Sequence, residues 1–284
     1  MQHPVVVGID GSARAWQGLD WAAEHARLHG LPLRLVHCTR ALRQDGELTD
    51  AQYRHLKAER TDLLNEARQY ALKQTPDLEI TTGLRAQEAG RGLVAESADA
   101  SLVAVGTRGA GGFDGLLFGS VGLHVAAHAH CPVLAVPPPA PHPADAPPEI
   151  VVGVGGRHPE DDLLEWAFRE AALRGARLVA VHAVGGEFGS PHQRLVEDME
   201  LAEALAGWPA RHPDVAVTPV VADRTPPQAL VAMSETAALV VVGAHGRRGR
   251  LGMVLGRVNH SVLHHARCPV VVVPARRETP SQRS

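Results

Sequence analysis

The sequence predicts an α/β protein with two tandem doubly wound domains, each a five-stranded parallel sheet flanked by helices in a Rossmann-like arrangement. Two observations support this prediction: the sequence contains an internal repeat, and each copy alternates short apolar runs with longer amphipathic stretches. Apolar runs without period-two alternation are typical of strands buried on both faces, and intervening helices indicate parallel crossovers. With 284 residues and 45% hydrophobic content, the chain can fill two cores.

The internal repeat is visible at both ends of each copy. Val5 to Thr39 aligns with Ile150 to Val184 at an offset of 145, and LVAVGTRG and HCPVLAVP align with LVVVGAHG and RCPVVVVP at an offset of 137. The second copy has therefore lost eight residues in its middle. Between the copies, seven prolines from Pro137 to Glu149 favour an extended spacer. We predict domains at 1–137 and 150–275, a linker at 138–149 and a tail at 276–284.

The strands and helices of the first copy follow from its apolar pattern. Strands are predicted at Val5 to Ile9, Leu33 to His37, Leu78 to Thr82, Leu102 to Val105 and Val133 to Val136. A first helix is indicated by apolar residues at spacings of three and four, namely Trp16, Leu19, Ala23 and Ala26. Leu56, Leu63 and Leu64 indicate a long second helix, and Leu93 with Val94 a short third one.

Net charge, cysteine spacing and the length of the apolar runs disfavour several classes of protein. A formal net charge of -3 and a pI near 6.6 disfavour nucleic-acid binding, which needs a basic face or stripe. Three cysteines without CxxC spacing favour neither a disulfide framework nor a zinc site. The N-terminus does not resemble a signal peptide, and no apolar run reaches the length of a membrane span. We therefore expect a soluble, cytoplasmic protein with no nucleic-acid or membrane partner.

The glycine-rich loop after the fourth predicted strand is the main candidate for a binding site. Gly106 and Gly109 allow positive φ and close approach of the backbone, and Gly119, Ser120 and Val121 begin the next helix. The unpaired amides and the positive end of a helix N-terminus favour an anion. Together with Arg108 as a possible cation, this pattern predicts a phosphate-binding cradle.

Two further segments lie beyond the carboxyl ends of strands, where doubly wound sheets bind ligands. After the first strand stand Asp10, Gly11 and Ser12. Since a carboxylate repels polyphosphate, Asp10 is expected to face a ribose hydroxyl, an adenine edge or a bridging Mg²⁺, while Ser12 can cap the first helix. After the second strand, backbone groups of His37 and Cys38 are placed to contact the edge of a base.

These residues resemble the universal stress protein family. Its nucleotide-binding signature of Gly, two residues, Gly, nine residues, Gly, then Ser or Thr is met by Gly106, Gly109, Gly119 and Ser120. VVVGIDGS resembles the family's first strand, LRLVHC its second and HCPVLAV its last, so the chain looks like a tandem member. The resemblance implies a fold like that of adenine nucleotide alpha hydrolases, binding of ATP with Mg²⁺, dimerisation through the last strand and a role in stress or dormancy adaptation.

The second copy departs from the signature. Gly243, Gly246 and Gly256 are present, but Arg257 replaces the Ser or Thr. Gly155 also stands at the position of Asp10, and Arg157 at that of Ser12. We therefore expect unequal sites, with nucleotide held mainly by the first domain, although a guanidinium at position 257 suits a phosphate contact.

Other residues in suggestive patterns have simpler interpretations. His124 and His128 resemble a metal pair but are expected on a solvent or interface face. Cys131 and Cys268 are interpreted as buried thiols, and Trp21 and Trp166 as packing residues. Because no GxxxxGK[ST], GxGxxG, GxSxG or HExxH motif is present, other phosphate-binding and hydrolytic classes are disfavoured.

Three functions stay open at this stage. The leading one is an ATP-binding sensor or regulator with an unknown protein partner, forming a homodimer or an intramolecular pseudo-dimer. The second is an interaction module that binds no nucleotide and dimerises through Val133–Val136 and Val270–Val273. The third is an ATP-consuming enzyme, but the sequence offers no dedicated catalytic base, so hydrolysis is expected to be slow or incidental.

Overall fold

The structure is a computed structural model that describes residues 2–42, 48–107, 119–138, 148–155, 160–185, 191–244, 248–249, 252–253 and 255–275. The first half contains strands and helices in the order β1 (Val5–Gly8), α1 (Ala13–His29), β2 (Leu33–Cys38), α2 (Asp50–Gln74), β3 (Ile80–Arg85), α3 (Ala89–Glu96), β4 (Leu102–Gly106), α4 (Ser120–His128) and β5 (Val133–Val136). Short 3₁₀ turns occupy Arg40–Leu42 and Ser97–Asp99.

The second half repeats this order with a broken second helix and a small ribbon in its glycine loop. Its elements are β6 (Glu149–Gly153), α5 (Asp161–Arg174), β7 (Arg177–Ala183), α6 (Pro191–Ala204), α7 (Trp208–Arg211), β8 (Val217–Ala222), α8 (Pro226–Met233), β9 (Leu239–Gly243), β10 (Arg248–Gly249), β11 (Gly252–Met253), α9 (Arg257–His265) and β12 (Val270–Val273). The strands β10 and β11 pair only with each other among the described residues.

The ten long strands form one continuous sheet in the order β3-β2-β1-β4-β5-β12-β9-β6-β7-β8. Neighbouring strands are parallel within each half, and the halves join where β5 runs antiparallel to β12, with Leu134 opposite Val271. The two halves thus pair with each other within the chain and form one sheet. Because this junction reverses the strand direction, the carboxyl ends of the two sets of strands lie at opposite edges of the sheet.

Helices cover both faces of the sheet. Residues of α1, α2, α5, α6 and α7 pack in one apolar core, and residues of α3, α4, α8 and α9 pack in the other. Strands near the middle are buried on both sides, as for the four buried residues of β4, Leu102 to Val105. Continuous apolar runs were therefore a sound guide to these strands. None of the described helices combines the length and the apolar character needed to cross a bilayer.

One strand prediction is wrong in its bounds by more than one residue. The apolar run predicted a strand from Leu78 to Thr82, but β3 extends from Ile80 to Arg85, with Ile80 opposite Leu33. This strand lies at the outer edge of the sheet, and only Ile80 and Gly83 of its residues are buried, so its end carries no continuous apolar run. The helix predictions hold: α1 begins after Ser12, and the long second helix is α2.

Candidate functional site

The candidate loops of the first half meet at the point where the strand order reverses. From β1 the chain winds outward through β2 and β3, and then returns to place β4 on the other side of β1. Register pairs Val7 of β1 with Ala104 of β4, so the segments that follow these strands are neighbours. Ligands of doubly wound sheets bind at this switch point.

The turn after β1 is fixed by its own side chains. Asp10 Oδ1 accepts hydrogen bonds from the backbone N–H of Ser12 at 2.9 Å and from its hydroxyl at 2.6 Å. Ser12 is the N-cap of α1, since its Oγ accepts from the Ala15 N–H at 3.2 Å. Gly11 has a φ of 83°, which favours glycine. The Asp10 carboxylate is exposed at the mouth of the sheet in a defined orientation.

Gly106 ends β4 where the strand passes close to α1. A Cβ on Gly106 would lie 2.7 Å from the carbonyl carbon, the oxygen and the Cβ of Arg14. Its φ is not positive, so of the two properties expected of this glycine the structure uses close approach of the backbone. Glycine is required here because α1 packs directly against the end of β4. The backbone of the helix fills the space that a side chain at position 106 would need.

The start of α4 lies beside the end of β4. The Gly119 N–H donates to the carbonyl of Thr107 at 2.5 Å, which closes the glycine loop at its base. Gly119 is the N-cap of α4 and has no side chain to bond the first amides of the helix, and both Ser120 and Val121 are exposed. Since this N-cap residue supplies no side-chain cap, the exposed N-terminus of α4 next to β4 suits an anion. Arg108 and Gly109, the other predicted loop residues, lie outside the described residues.

Thr107 is a polar residue that sequence reasoning missed. It is 2% exposed, and within the described part of the chain its Oγ1 has no hydrogen-bond partner. Buried hydroxyls are nearly always bonded, so an unpaired one at the mouth of a candidate site suggests a contact with a ligand or with water. The only sequence signal was its position inside the glycine signature, where the second copy has Ala244.

Cys38 lies on the far side of β1 from the glycine loop. The ladder between β1 and β2 ends with the Ile9 N–H on the Val36 carbonyl, so the backbone of Cys38 lies beyond it at the mouth of the sheet. Its thiol points under α3, where a Cβ on Gly92 would lie 2.5 Å from Sγ. Burial, followed by the charge of Glu96, raises the pKa of this thiol to about 11. Only its backbone is therefore suited to reading a base.

The corresponding crevice of the second half contains the protein's own polar groups. The Gly155 N–H donates to both carboxylate oxygens of Glu160, at 3.1 and 3.0 Å. Asn259 of α9, which is 4% exposed, donates its side-chain N–H to the Gly243 carbonyl at 2.9 Å. The equivalent positions in the first half are Ala15 and Gly122, which have no polar side chain. Sequence reasoning missed both contacts.

The remaining signature residues of the second half differ in kind. Gly256 is the N-cap of α9, and Arg257 begins the helix with its side chain exposed. Gly246 and Arg157 lie outside the described residues. The second crevice thus carries a carboxylate at its first turn and a guanidinium at its helix N-terminus.

The residues given a packing interpretation lie where packing was expected. Cys131 and Cys268 are buried, and burial raises the pKa of each thiol to about 12. Trp21 and Trp166 are partly buried against the core that contains α1 and α5. The expectation of a solvent or interface face holds for His128, which is exposed, whereas His124 lies against α3, where a Cβ on Gly90 would meet its ring at 2.8 Å.

Comparison with known proteins agrees with this architecture. The sequence model of the universal stress protein family matches residues 1–137 and 148–274. A universal stress protein of Mycobacterium tuberculosis is 37% identical over 288 residues, covering 94% of this chain and 95% of the relative. Another, from Mycobacterium bovis, is 35% identical over 297 residues, covering 95% and 97%. The crystal structure of a universal stress protein from Archaeoglobus fulgidus shares the fold with a TM-score of 0.71 at 20% identity, covering 96% of this chain and 97% of that one.

The fold and the two glycine loops define a tandem α/β protein of the kind that carries its ligand site at the switch point of a parallel sheet. The chain belongs to the universal stress protein family, and both of its halves are domains of that family. The resemblance stated from the sequence is confirmed at this level.

Proposed function

We propose that the first half binds ATP, with Mg²⁺, and that the chain acts as a sensor or regulator in stress or dormancy adaptation. The observation that carries the proposal is the convergence of the Asp10 turn, the end of β4 and the uncapped start of α4 at one switch point. Family membership supports it, because the first copy contains the complete glycine signature. Homodimer formation and an unidentified regulatory protein partner belong to the same proposal.

The triphosphate would lie over the start of α4. Its amides and the Ser120 hydroxyl supply donors to a charged acceptor, and each such hydrogen bond contributes roughly 1.5–3 kcal/mol. The Asp10 carboxylate would hold a ribose hydroxyl or the Mg²⁺, and its bonds from Ser12 fix its orientation for that contact. Backbone groups at Cys38 would contact the base, and Arg108 and Gly109 would complete the phosphate contacts.

The second half would bind nucleotide weakly or not at all. The Glu160 carboxylate accepts from the Gly155 N–H, so this backbone donor is already bonded within the protein, whereas the Asp10 side chain at the equivalent turn of the first half is exposed. The Asn259 side chain donates a hydrogen bond to the Gly243 carbonyl. In addition, the hydroxyls of Ser12, Thr107 and Ser120 have no counterpart in the second copy. Each chain would then bind one nucleotide, in the crevice of the first half. A regulatory partner would contact the edge of the sheet where that crevice lies.

The alternative of an interaction module gains less support. An interaction module that dimerises through Val133–Val136 and Val270–Val273 would need these strands to be available, but β5 and β12 pair with each other within the chain. A second copy would therefore have to use another surface. The cytoplasmic location stays a prediction, consistent with three cysteines that form no disulfide.

Calorimetric titration of the full chain with MgATP tests the proposal. We expect about one site per chain and a loss of about tenfold or more in affinity for Ser120→Ala, since a hydroxyl bond to a phosphate is removed. Asp10→Asn should weaken binding in Mg²⁺ more than in its absence if the carboxylate holds the metal. The matched control is Arg257→Ala, the equivalent position in the second copy, which should leave affinity unchanged.

Two results would contradict the proposal. Absence of binding by ATP, ADP and AMP at millimolar concentration would refute nucleotide binding altogether. Loss of binding in Arg257→Ala with retention in Ser120→Ala would place the nucleotide in the other half.

A further inference from the structure

A buried histidine in the second half faces two hydrogen-bond acceptors. His182 lies near the end of β7 and is 6% exposed. Its Nδ1 is 2.9 Å from the Val154 carbonyl, and its Nε2 is 2.9 Å from Oε2 of Glu197 on α6. A backbone carbonyl only accepts, so Nδ1 carries a hydrogen. The other ring nitrogen, Nε2, thus lies beside a carboxylate oxygen, and both atoms can serve as ligands of a cation.

A second carboxylate completes this cluster. Glu200 lies three residues after Glu197 on α6, and one ligand atom from each of His182, Glu197 and Glu200 lies within 4.8 Å of the others. Both glutamates are partly buried, whereas Asp198 between them and Glu203 on the next turn are exposed. The two carboxylates therefore face His182 and the sheet.

The first half has the same histidine without the carboxylates. His37 keeps the bond from Nδ1 to a β1-side carbonyl, that of Ile9 at 2.7 Å. Counted from the last helical residues, Gln74 and Arg211, Glu197 corresponds to Arg60 and Glu200 to Leu63. Burial lowers the pKa of His37. The bond to the Ile9 carbonyl acts in the opposite direction, and the charge of Arg60 lowers the pKa further. The chelating arrangement thus exists in the second half and is replaced in the first by a cation and an apolar residue.

We propose that His182, Glu197 and Glu200 bind a divalent transition-metal ion in the second half. The ligands are the Nε2 lone pair and one oxygen from each carboxylate, with water completing the coordination. One imidazole nitrogen with carboxylate oxygens suits Zn²⁺ or Mn²⁺ better than Ca²⁺ or Mg²⁺, which prefer oxygen alone. The hydrogen bond from Nδ1 to Val154 is the outer-shell contact that orients a metal-binding histidine.

The other cluster of metal-ligating side chains is less suited to a cation. One ligand atom from each of His25, His29 and Glu170 also lies within 4.8 Å of the others, but Nε of Arg174 already donates to Glu170 Oε1 at 2.6 Å. A guanidinium on the carboxylate neutralises it and repels a metal ion. Within the described part of the chain, the ionic partner given for Glu197 is His182 itself.

Zn²⁺ titration of the full chain without nucleotide tests the metal site. Wild-type protein should bind one Zn²⁺ more tightly than any sites on its surface histidines, and Zn²⁺ should raise its melting temperature. Glu197→Gln combined with Glu200→Gln keeps the side-chain volume and should lower the Zn²⁺ affinity of the tight site by at least about tenfold. Loss of an outer-shell partner alone already lowers metal affinity by about that factor. The control Glu203→Gln, an exposed glutamate on the same helix, should behave as wild type.

Co²⁺ substitution supplies a second measurement on the same proteins. The tight site should give a d–d absorption band that is lost in the double variant and kept in Glu203→Gln. If the double variant does not fold by circular dichroism, Glu200→Gln alone, which leaves the Glu197 bond in place, should still lose affinity. Equal Zn²⁺ affinity and equal Co²⁺ spectra in wild type and in the folded Glu197 and Glu200 variants would overturn the proposal.

Discussion

His25 and Glu170 stand at equivalent positions of the two sequence copies and meet across the junction of the halves, with Nδ1 of His25 3.3 Å from Oε1 of Glu170. His29 and Arg174 are equivalent in the same way, and both also bond Glu170, at 2.8 and 2.6 Å. In a dimer of identical copies these positions would oppose like with like. Here an acid on α5 receives bases from both helices, so the two halves are complementary and not interchangeable.

Glu170→Ala should destabilise the chain strongly. Glu170 is 1% exposed, and its removal leaves the Arg174 guanidinium and two imidazoles buried without their acceptor. Losing one partner of a buried charge pair costs about 3–5 kcal/mol. Urea denaturation measures the change in unfolding free energy.

The control for this substitution is Glu24→Gln. Glu24 lies 3.9 Å from Arg174, but its side chain is 54% exposed, so the pair contributes less than about 1 kcal/mol. If Glu170→Ala costs no more than Glu24→Gln, the buried cluster does not stabilise the junction.

Acid should destabilise the protein in two steps. Burial lowers the pKa of His25 despite its bond to Glu170, so the folded state favours the neutral ring. This contribution is present above the unfolded value of about 6.5 and is lost as pH falls through the lowered folded value. Although burial alone raises the pKa of Glu170, its bonds from His25 and His29 and the Arg174 charge outweigh burial and lower it. Its contribution is present above about 4.5 and is lost at still lower pH.

His25→Asn should therefore reduce the fall in stability between about pH 6.5 and pH 5. The lowered pKa values of other histidines act in the same direction in both proteins and cancel in the comparison; these are His37, His124 and His264. Denaturation midpoints across this range measure the effect. Identical slopes for variant and wild type would contradict it.

Much of this molecule could be predicted from sequence because its signals are local. Central strands such as β4 are continuous apolar runs, and the N-cap at Ser12 is a property of adjacent residues. The contacts that distinguish the two crevices depend on tertiary placement instead. Asn259 reaches Gly243 only because α9 packs beside the end of β9, and the alignment shows no more than a polar residue in place of Gly122. The sequence likewise indicates that Gly106 allows close approach of the backbone, but the contact partner, Arg14, depends on how α1 packs against β4.

Gly106→Ala should cost about 1–3 kcal/mol of stability, because α1 or β4 must shift to relieve three contacts at 2.7 Å with Arg14. The same shift should weaken nucleotide binding. Gly18→Ala is the matched control, since a Cβ on Gly18 would lie 3.6 Å from the Gly106 nitrogen, an ordinary contact. Alanine also favours the helix by up to about 1 kcal/mol, so this variant should be neutral or more stable. Thermal unfolding would contradict the explanation if the two variants lost equal stability.

The three thiols should react slowly in the folded protein. Burial raises the pKa of Cys38 to about 11 and those of Cys131 and Cys268 to about 12, and the thiolate is the reactive form. At pH 8 a disulfide reagent that releases a coloured thiolate should give little signal with native protein, and a signal for three thiols in guanidinium chloride. Cys38→Ser should remove the fastest native phase, because Cys38 is only half-buried. Immediate reaction of any thiol in native protein would contradict the prediction.

Installing two residues of the first copy in the second crevice should create a second nucleotide site. Glu160→Ala removes the carboxylate that bonds the Gly155 N–H, and Asn259→Gly releases the Gly243 carbonyl. Since a hydrogen bond to a charged group contributes roughly 1.5–3 kcal/mol, removing the internal anion should raise the ATP affinity of this crevice by about tenfold or more. The titration stoichiometry of the double variant should move from one toward two, while Glu165→Ala, an exposed glutamate on α5, should leave it at one. A wild-type chain with two equal sites, or a folded double variant that still binds one ATP, would show that these side chains do not block the second crevice.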